Sequence, residues 1–74
     1  MKTSVIAPFE ITGQAEDGSI DIPDGTRVRG LFKLIKAPLF ARILPVFVNG
    51  EQVSSRRVLK NGDMVVFIIP IAGG

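Results

Sequence analysis

The sequence contains no cysteine and no histidine. That double absence removes disulfides, thiol nucleophiles, imidazole bases and the usual zinc ligands together, so neither side-chain catalysis nor a metal site is expected. Long apolar runs are missing too. The longest, residues 64–72, is nine residues, against the roughly 20 that a membrane-spanning helix requires, and it reads as a buried strand. No basic, apolar and small-residue stretch opens the chain in the manner of a secretory signal, so a cytoplasmic location is expected. Neither sign of charge dominates. Nine basic residues against seven acidic give a formal net charge of +2, too slight an excess to argue by itself for nucleic acid. The expected partner is a protein, not nucleic acid or a membrane. The seven acids fall mostly in turn-like segments that suggest no acid–base pair, which makes an enzyme working through its own side chains the weakest reading.

What is present suits one small domain. The 74 residues are 46% apolar, enough for a modest single core and too many for a disordered chain. Across residues 2–11, Val5, Ala7, Phe9 and Ile11 alternate with mostly polar neighbours, the period of a strand with one buried face, although Pro8 interrupts its donors. A turn over 12–18 leads to a second alternation at Ile20 and Ile22, giving a β-hairpin.

A turn at Pro23, Asp24 and Gly25 places Thr26 as the expected cap of a helix. Val28, Leu31, Phe32 and Ile35 form its apolar stripe, with Arg29, Lys33 and Lys36 opposite. Ala37 and Pro38 end it. After a connection over 39–45, Val46 to Val48 and Glu51 to Val53 flank Asn49-Gly50, a dipeptide that supplies the positive φ angles of a tight hairpin turn. A last turn at 60–63, where Asp63 is expected to bond a backbone N–H, feeds a strand over 64–69. Its consecutive apolar positions predict cover on both faces.

Hairpin, helix, connection, short strands and a final buried strand define an α+β domain. The expectation is a mixed sheet of four to five strands with one main helix packed on one face. A β-grasp, ubiquitin-like arrangement fits that order and places the last strand beside the first. The domain is expected over residues 1–69, with 70–74 as an exposed, flexible tail.

Pro70, Ile71, Ala72, Gly73 and Gly74 bring no turn chemistry and no apolar partner segment. Extended, five residues reach roughly 17 Å, enough to enter a deep cleft. Gly73 and Gly74 lack Cβ atoms, so the backbone there can thread a narrow channel and bring a carboxylate against a nucleotide. A carboxylate becomes an acyl donor once adenylation turns its oxygen into a leaving group. Against this stands chance, since a given Gly-Gly ending arises in roughly 0.5% of chains at average glycine usage.

Three segments carry a family resemblance. Residues 46–53 (VFVNGEQV) match a hairpin, residues 59–67 (LKNGDMVVF) match a leucine, turn, Gly-Asp and apolar-strand pattern, and residues 70–74 (PIAGG) complete it. The chain resembles the β-grasp sulfur carriers that include the small subunit of molybdopterin synthase and the thiamine-pathway sulfur carrier (MoaD and ThiS). The match is close over the last 29 residues and only in outline over the first 25. The resemblance implies no catalytic residue and no bound cofactor. An activating enzyme of the MoeB or ThiF kind would use ATP and magnesium to adenylate Gly74, and a sulfurtransferase would convert it to a thiocarboxylate. A synthase large subunit or thiazole synthase would receive the sulfur. The Pro-Ile-Ala-Gly-Gly ending resembles the molybdopterin branch, with Ile69 where that branch's first proline would stand; the short helix and connection over 26–45 resemble the thiamine branch, and the molybdopterin branch is preferred. A protein modifier built on the same tail and a non-covalent interaction module are the alternatives.

Two further features have a bland and a sharp reading. Phe67 and Ile69 alternate with Ile68 near the tail, either as core or as a docking patch for the activating enzyme, with Ile71 beyond them. Arg27, Arg29, Lys33 and Lys36, with Arg42, Arg56, Arg57 and Lys60, are either a solvated surface or a face for an acidic partner.

Overall fold

Alternation in the first residues gives β1, Lys2–Ile6, in which Thr3 and Val5 point inward and Lys2 and Ile6 outward. A computed structural model describes residues 1–69, and the five expected tail residues lie outside it. β1 stops before Pro8, shorter than the pattern over 2–11 predicts, because a proline has no N–H to give the ladder. Ala7, Phe9 and Ile11 nevertheless pack half-buried against the core. The loop that follows is held by the Gln14 amide, which donates to the carbonyls of Val5 and Gly18 at 2.7 and 2.8 Å. β2, Ser19–Asp21, returns antiparallel and sets Ile20 opposite Thr3.

The helix α1, Val28–Leu34, begins one residue later than a Thr26 cap would start it. Thr26 instead turns its hydroxyl back to the Pro23 carbonyl at 2.6 Å. Backbone carbonyls replace the missing side-chain cap: Arg57 and Ser55 accept the N–H groups of Val28 and Arg29 at 2.9 and 2.8 Å. At the other end Lys36 adopts φ 53°, while Lys36 and Ala37 donate to the carbonyls of Lys33 and Phe32. This is the paired-bond stop that usually places glycine at the left-handed position. Val28, Leu31 and Ile35 are fully buried, and an aliphatic side chain removed from water in this way contributes about 1.5–3 kcal/mol.

A 3-10 helix, Leu39–Ile43, makes the connection to β3, Val46–Val48, and β4, Glu51–Val53. β5, Met64–Phe67, lies between β1 and β3 in a five-stranded sheet of order β2-β1-β5-β3-β4. It runs parallel to β1 and antiparallel to β3, so the first and last strands are neighbours at the centre of the sheet. The expectation that both faces of this strand are covered fails. Val65 and Phe67 are buried beneath the helix, whereas Met64 is exposed and Val66 half-buried on the opposite face. One helix covers one face only, and among the described residues nothing covers the other. The observed architecture is the β-grasp, ubiquitin-like fold.

Candidate functional site

The expected site residues Pro70, Ile71, Ala72, Gly73 and Gly74 lie outside the described residues, so the site takes its geometry from the place where β5 delivers them. Beyond Phe67 the Ile68 N–H donates to the Pro45 carbonyl at 3.1 Å. That bond carries the chain one residue past the strand alongside the start of β3. Ile68 and Ile69 are then both exposed.

Phe67, expected as a docking residue, points into the core. It is only 3% exposed, with its ring centroid 5.3 Å from that of Phe9 and 5.5 Å from that of Phe32. Its inward direction follows from strand alternation: Phe67 shares the helix-facing side with Val65, and the Ile69 suggested beside it lies past the end of the ladder.

The uncovered apolar face of the sheet was not singled out in the sequence. Across the open sheet face Ile6 stands opposite Val66, and Val66 opposite Phe47, in one row that crosses β1, β5 and β3. Ile6 is 56% exposed, and Met64 with Ile68 extends the apolar row along β5. The signal was the alternation itself. It was hidden because residues 64–69 are apolar at every position, which conceals which set faces out.

A second group of exposed apolar side chains lies on the 3-10 connection, where Leu39 and Ile43 are 78% and 83% exposed. Phe40 packs its ring edge-on against Phe9 at 6.0 Å. Through Phe9 and Phe67 this connection is anchored near the C-terminal end of β5. Exposed apolar residues thus occur on the open sheet face and on the 3-10 connection, and contiguous apolar patches are candidates for protein contact.

Among the described residues no group of three or more His, Cys, Asp or Glu could hold a metal ion, and no helix is long and apolar enough to cross a membrane. Buried acids are equally scarce: Asp63 is engaged in a turn, and the exposed Asp17 carboxyl is held below its ordinary pKa by hydrogen bonds from the Ser19 hydroxyl and backbone N–H.

The fold agrees with solved structure at low sequence similarity. The crystal structure of SAMP1 from Haloferax volcanii superposes with a TM-score of 0.66 at 16% identity, covering 100% of both chains. At that identity the likeness speaks to the fold alone. No curated protein matches the sequence. The ThiS family model, by contrast, matches residues 7–74, nearly the whole chain and through both terminal glycines. The protein therefore belongs to the ThiS family, in the general class of sulfur carriers and ubiquitin-like modifiers.

Proposed function

We propose that this protein is a sulfur carrier whose Gly74 carboxylate is the working group, serving molybdopterin biosynthesis in the cytosol. It is the substrate of its partners and not a catalyst. In the first step a carboxylate oxygen attacks the α-phosphorus of ATP, held with magnesium by an activating enzyme, and pyrophosphate leaves. In the second, hydrosulfide, released from a sulfurtransferase persulfide by a thiol that is itself left in a disulfide, attacks the acyl carbon and loses its proton. The C–S bond forms as the C–O bond to AMP breaks, and AMP departs with the electron pair. The resulting thiocarboxylate is passed to the large subunit of a synthase. Residues 70–74 act as a tail threading the partner, and the activating enzyme seats on the open row of Ile6, Val66 and Phe47.

The observation that carries this reading is the position of β5. The central strand leads toward the Gly-Gly segment beside an uncovered apolar face, so a partner seated there stands next to the chain it must process. The Ala72-Gly73-Gly74 ending favours the molybdopterin branch. A thiamine role is the second reading, favoured by the seven-residue helix α1 and the short connection after it.

Incubation with a candidate activating enzyme and ATP should release pyrophosphate, and deletion of Gly74 or addition of one residue after it should stop the release. Intact-mass analysis of protein purified from cells should show one oxygen replaced by sulfur. A ladder of conjugates on other proteins would assign it as a modifier instead. Full activity of the extended chain would make it a non-covalent module. Transfer of sulfur to a thiazole precursor and not to a molybdopterin precursor would select the thiamine branch.

A further inference from the structure

The charges are segregated along the chain. Residues 25–60 hold eight of the nine basic residues and a single acid, Glu51, whereas residues 1–24 hold five of the seven acids. The fold gathers half of those cations around one depression. A cleft of about 550 Å³ opens beside helix α1, lined by Arg27, Arg29, Lys33 and Arg42, with Phe32 and Ser55 also contributing to its wall. All four cations are exposed. Among the described residues the one ion pair joins the N-terminal ammonium to Asp24, so none of the four pairs with a carboxylate of the described residues. Arg27 is oriented by donating from Nη1 to the Arg56 carbonyl at 2.9 Å. The backbone N–H groups of Val28 and Arg29 are already taken by Arg57 and Ser55. Attraction in the cleft therefore comes from the side chains.

We infer that this cleft docks a short acidic segment of a partner protein. Three guanidinium groups can each take a carboxylate through two parallel hydrogen bonds, and the Lys33 ammonium adds a fourth positive centre. A nucleotide is a poorer occupant, because the cationic groups are all on exposed side chains and no buried polar group stands ready to close around a small anion. Nucleic acid is poorer still. Single strands are held by aromatic rings free for stacking, and the Phe32 ring is packed against Phe67. The cleft flanks the helix, on the side of the sheet opposite Ile6, Val66 and Phe47. An acidic partner can thus hold the protein while the open face and the tail are engaged elsewhere.

The test is fluorescence anisotropy with a labelled peptide of alternating Glu and Ala, titrated with the full chain, with amide NMR shifts to map the contact. Saturable binding that weakens with added salt and moves the amides of Arg27, Arg29, Lys33 and Arg42 is expected. The double variant R29E/K33E should weaken it by about tenfold or more, on the strength of two lost and reversed pairs. The control K2E/K60E changes the net charge equally, outside the cleft, and should change binding by less than about twofold. A chain lacking Gly73 and Gly74 should bind the peptide unchanged, which keeps this result separate from any result on the tail. Equal losses in the two double variants, or tighter binding of a single-stranded oligonucleotide or of ATP than of the peptide, would overturn the inference. So would self-association of the protein alone that R29E/K33E abolishes, which would assign the cleft to a second copy.

Discussion

The Asn49 side-chain amide donates to Asp63 Oδ1 at 2.9 Å, tying the β3–β4 turn to the turn that feeds β5. Asp63 Oδ2 accepts the Lys60 N–H at 2.8 Å, and Asn49 Oδ1 accepts the Met64 N–H at 2.9 Å. Two turns distant in sequence thus set the register of β5. Asp63→Ala strands a donor on each side and should cost about 2–3 kcal/mol. A lower urea midpoint at unchanged slope is the expected readout. Asn49→Gly keeps the left-handed turn and loses the bonds. A double-mutant cycle should then show coupling of about 0.5 kcal/mol or more, and simple additivity would mean the two turns are independent.

Thr3 is buried in the core opposite Ile20, and its hydroxyl finds no hydrogen-bond partner among the described residues. Thr3→Val keeps the shape and removes the desolvated hydroxyl, so it should stabilise the domain by about 1 kcal/mol. For a chain this size that is a rise of about 4–8 °C in Tm. A fall in Tm would mean the hydroxyl is satisfied in solution.

Lys36 ends the helix at φ 53°, a conformation that a Cβ disfavours by roughly 1 kcal/mol. Lys36→Gly relieves that strain and gives back part of it through a freer unfolded chain. A net gain of about 0.5 kcal/mol should appear as a higher urea midpoint.

Phe67 and Ile6 should separate folding from docking. Phe67→Ala removes a buried ring and should cost about 3–5 kcal/mol. Ile6→Ser, on the open face, should leave stability within about 0.5 kcal/mol while weakening capture by the activating enzyme by about tenfold, as for a central interface residue. Normal activation of Ile6→Ser would move the docking surface elsewhere.

Asp17 offers a pH check. Hydrogen bonds from Ser19 hold its carboxyl below the ordinary value, so the folded chain binds that proton less readily than the unfolded one. The contribution is therefore present above the unfolded pKa and lost as pH falls through the folded value. Ser19→Ala removes the hydroxyl donor at 2.6 Å and should raise the Asp17 pKa, read from its carboxyl carbon shift in an NMR titration. An unmoved titration curve would exclude the hydroxyl as the cause.

Much of this fold was legible because local chemistry and tertiary need agree. Asn49-Gly50 announces its turn, and Val28, Leu31 and Ile35 announce the helix face that the structure buries. Thr26 was misread because its role depended on the carbonyls of Ser55 and Arg57, nearly thirty residues away, which no local pattern reveals. Phe67 was ambiguous within an unbroken apolar run, where only pairing with β1 and β3 decides which side points inward. The row of Ile6, Val66 and Phe47 is assembled from three strands and exists only after they pair. The basic residues were visible as a list, but their convergence with Arg42 on one cleft required the 3-10 connection to fold back toward the helix.

The central place of β5 has a mechanical side. Force applied to the chain beyond Ile69 is directed along β5, which is bonded to β1 on one flank and β3 on the other. Pulling there loads the rungs of both ladders in shear together instead of peeling them singly. Under the proposed function, a partner that tugs on residues 70–74 works against both ladders at once, and the body stays intact.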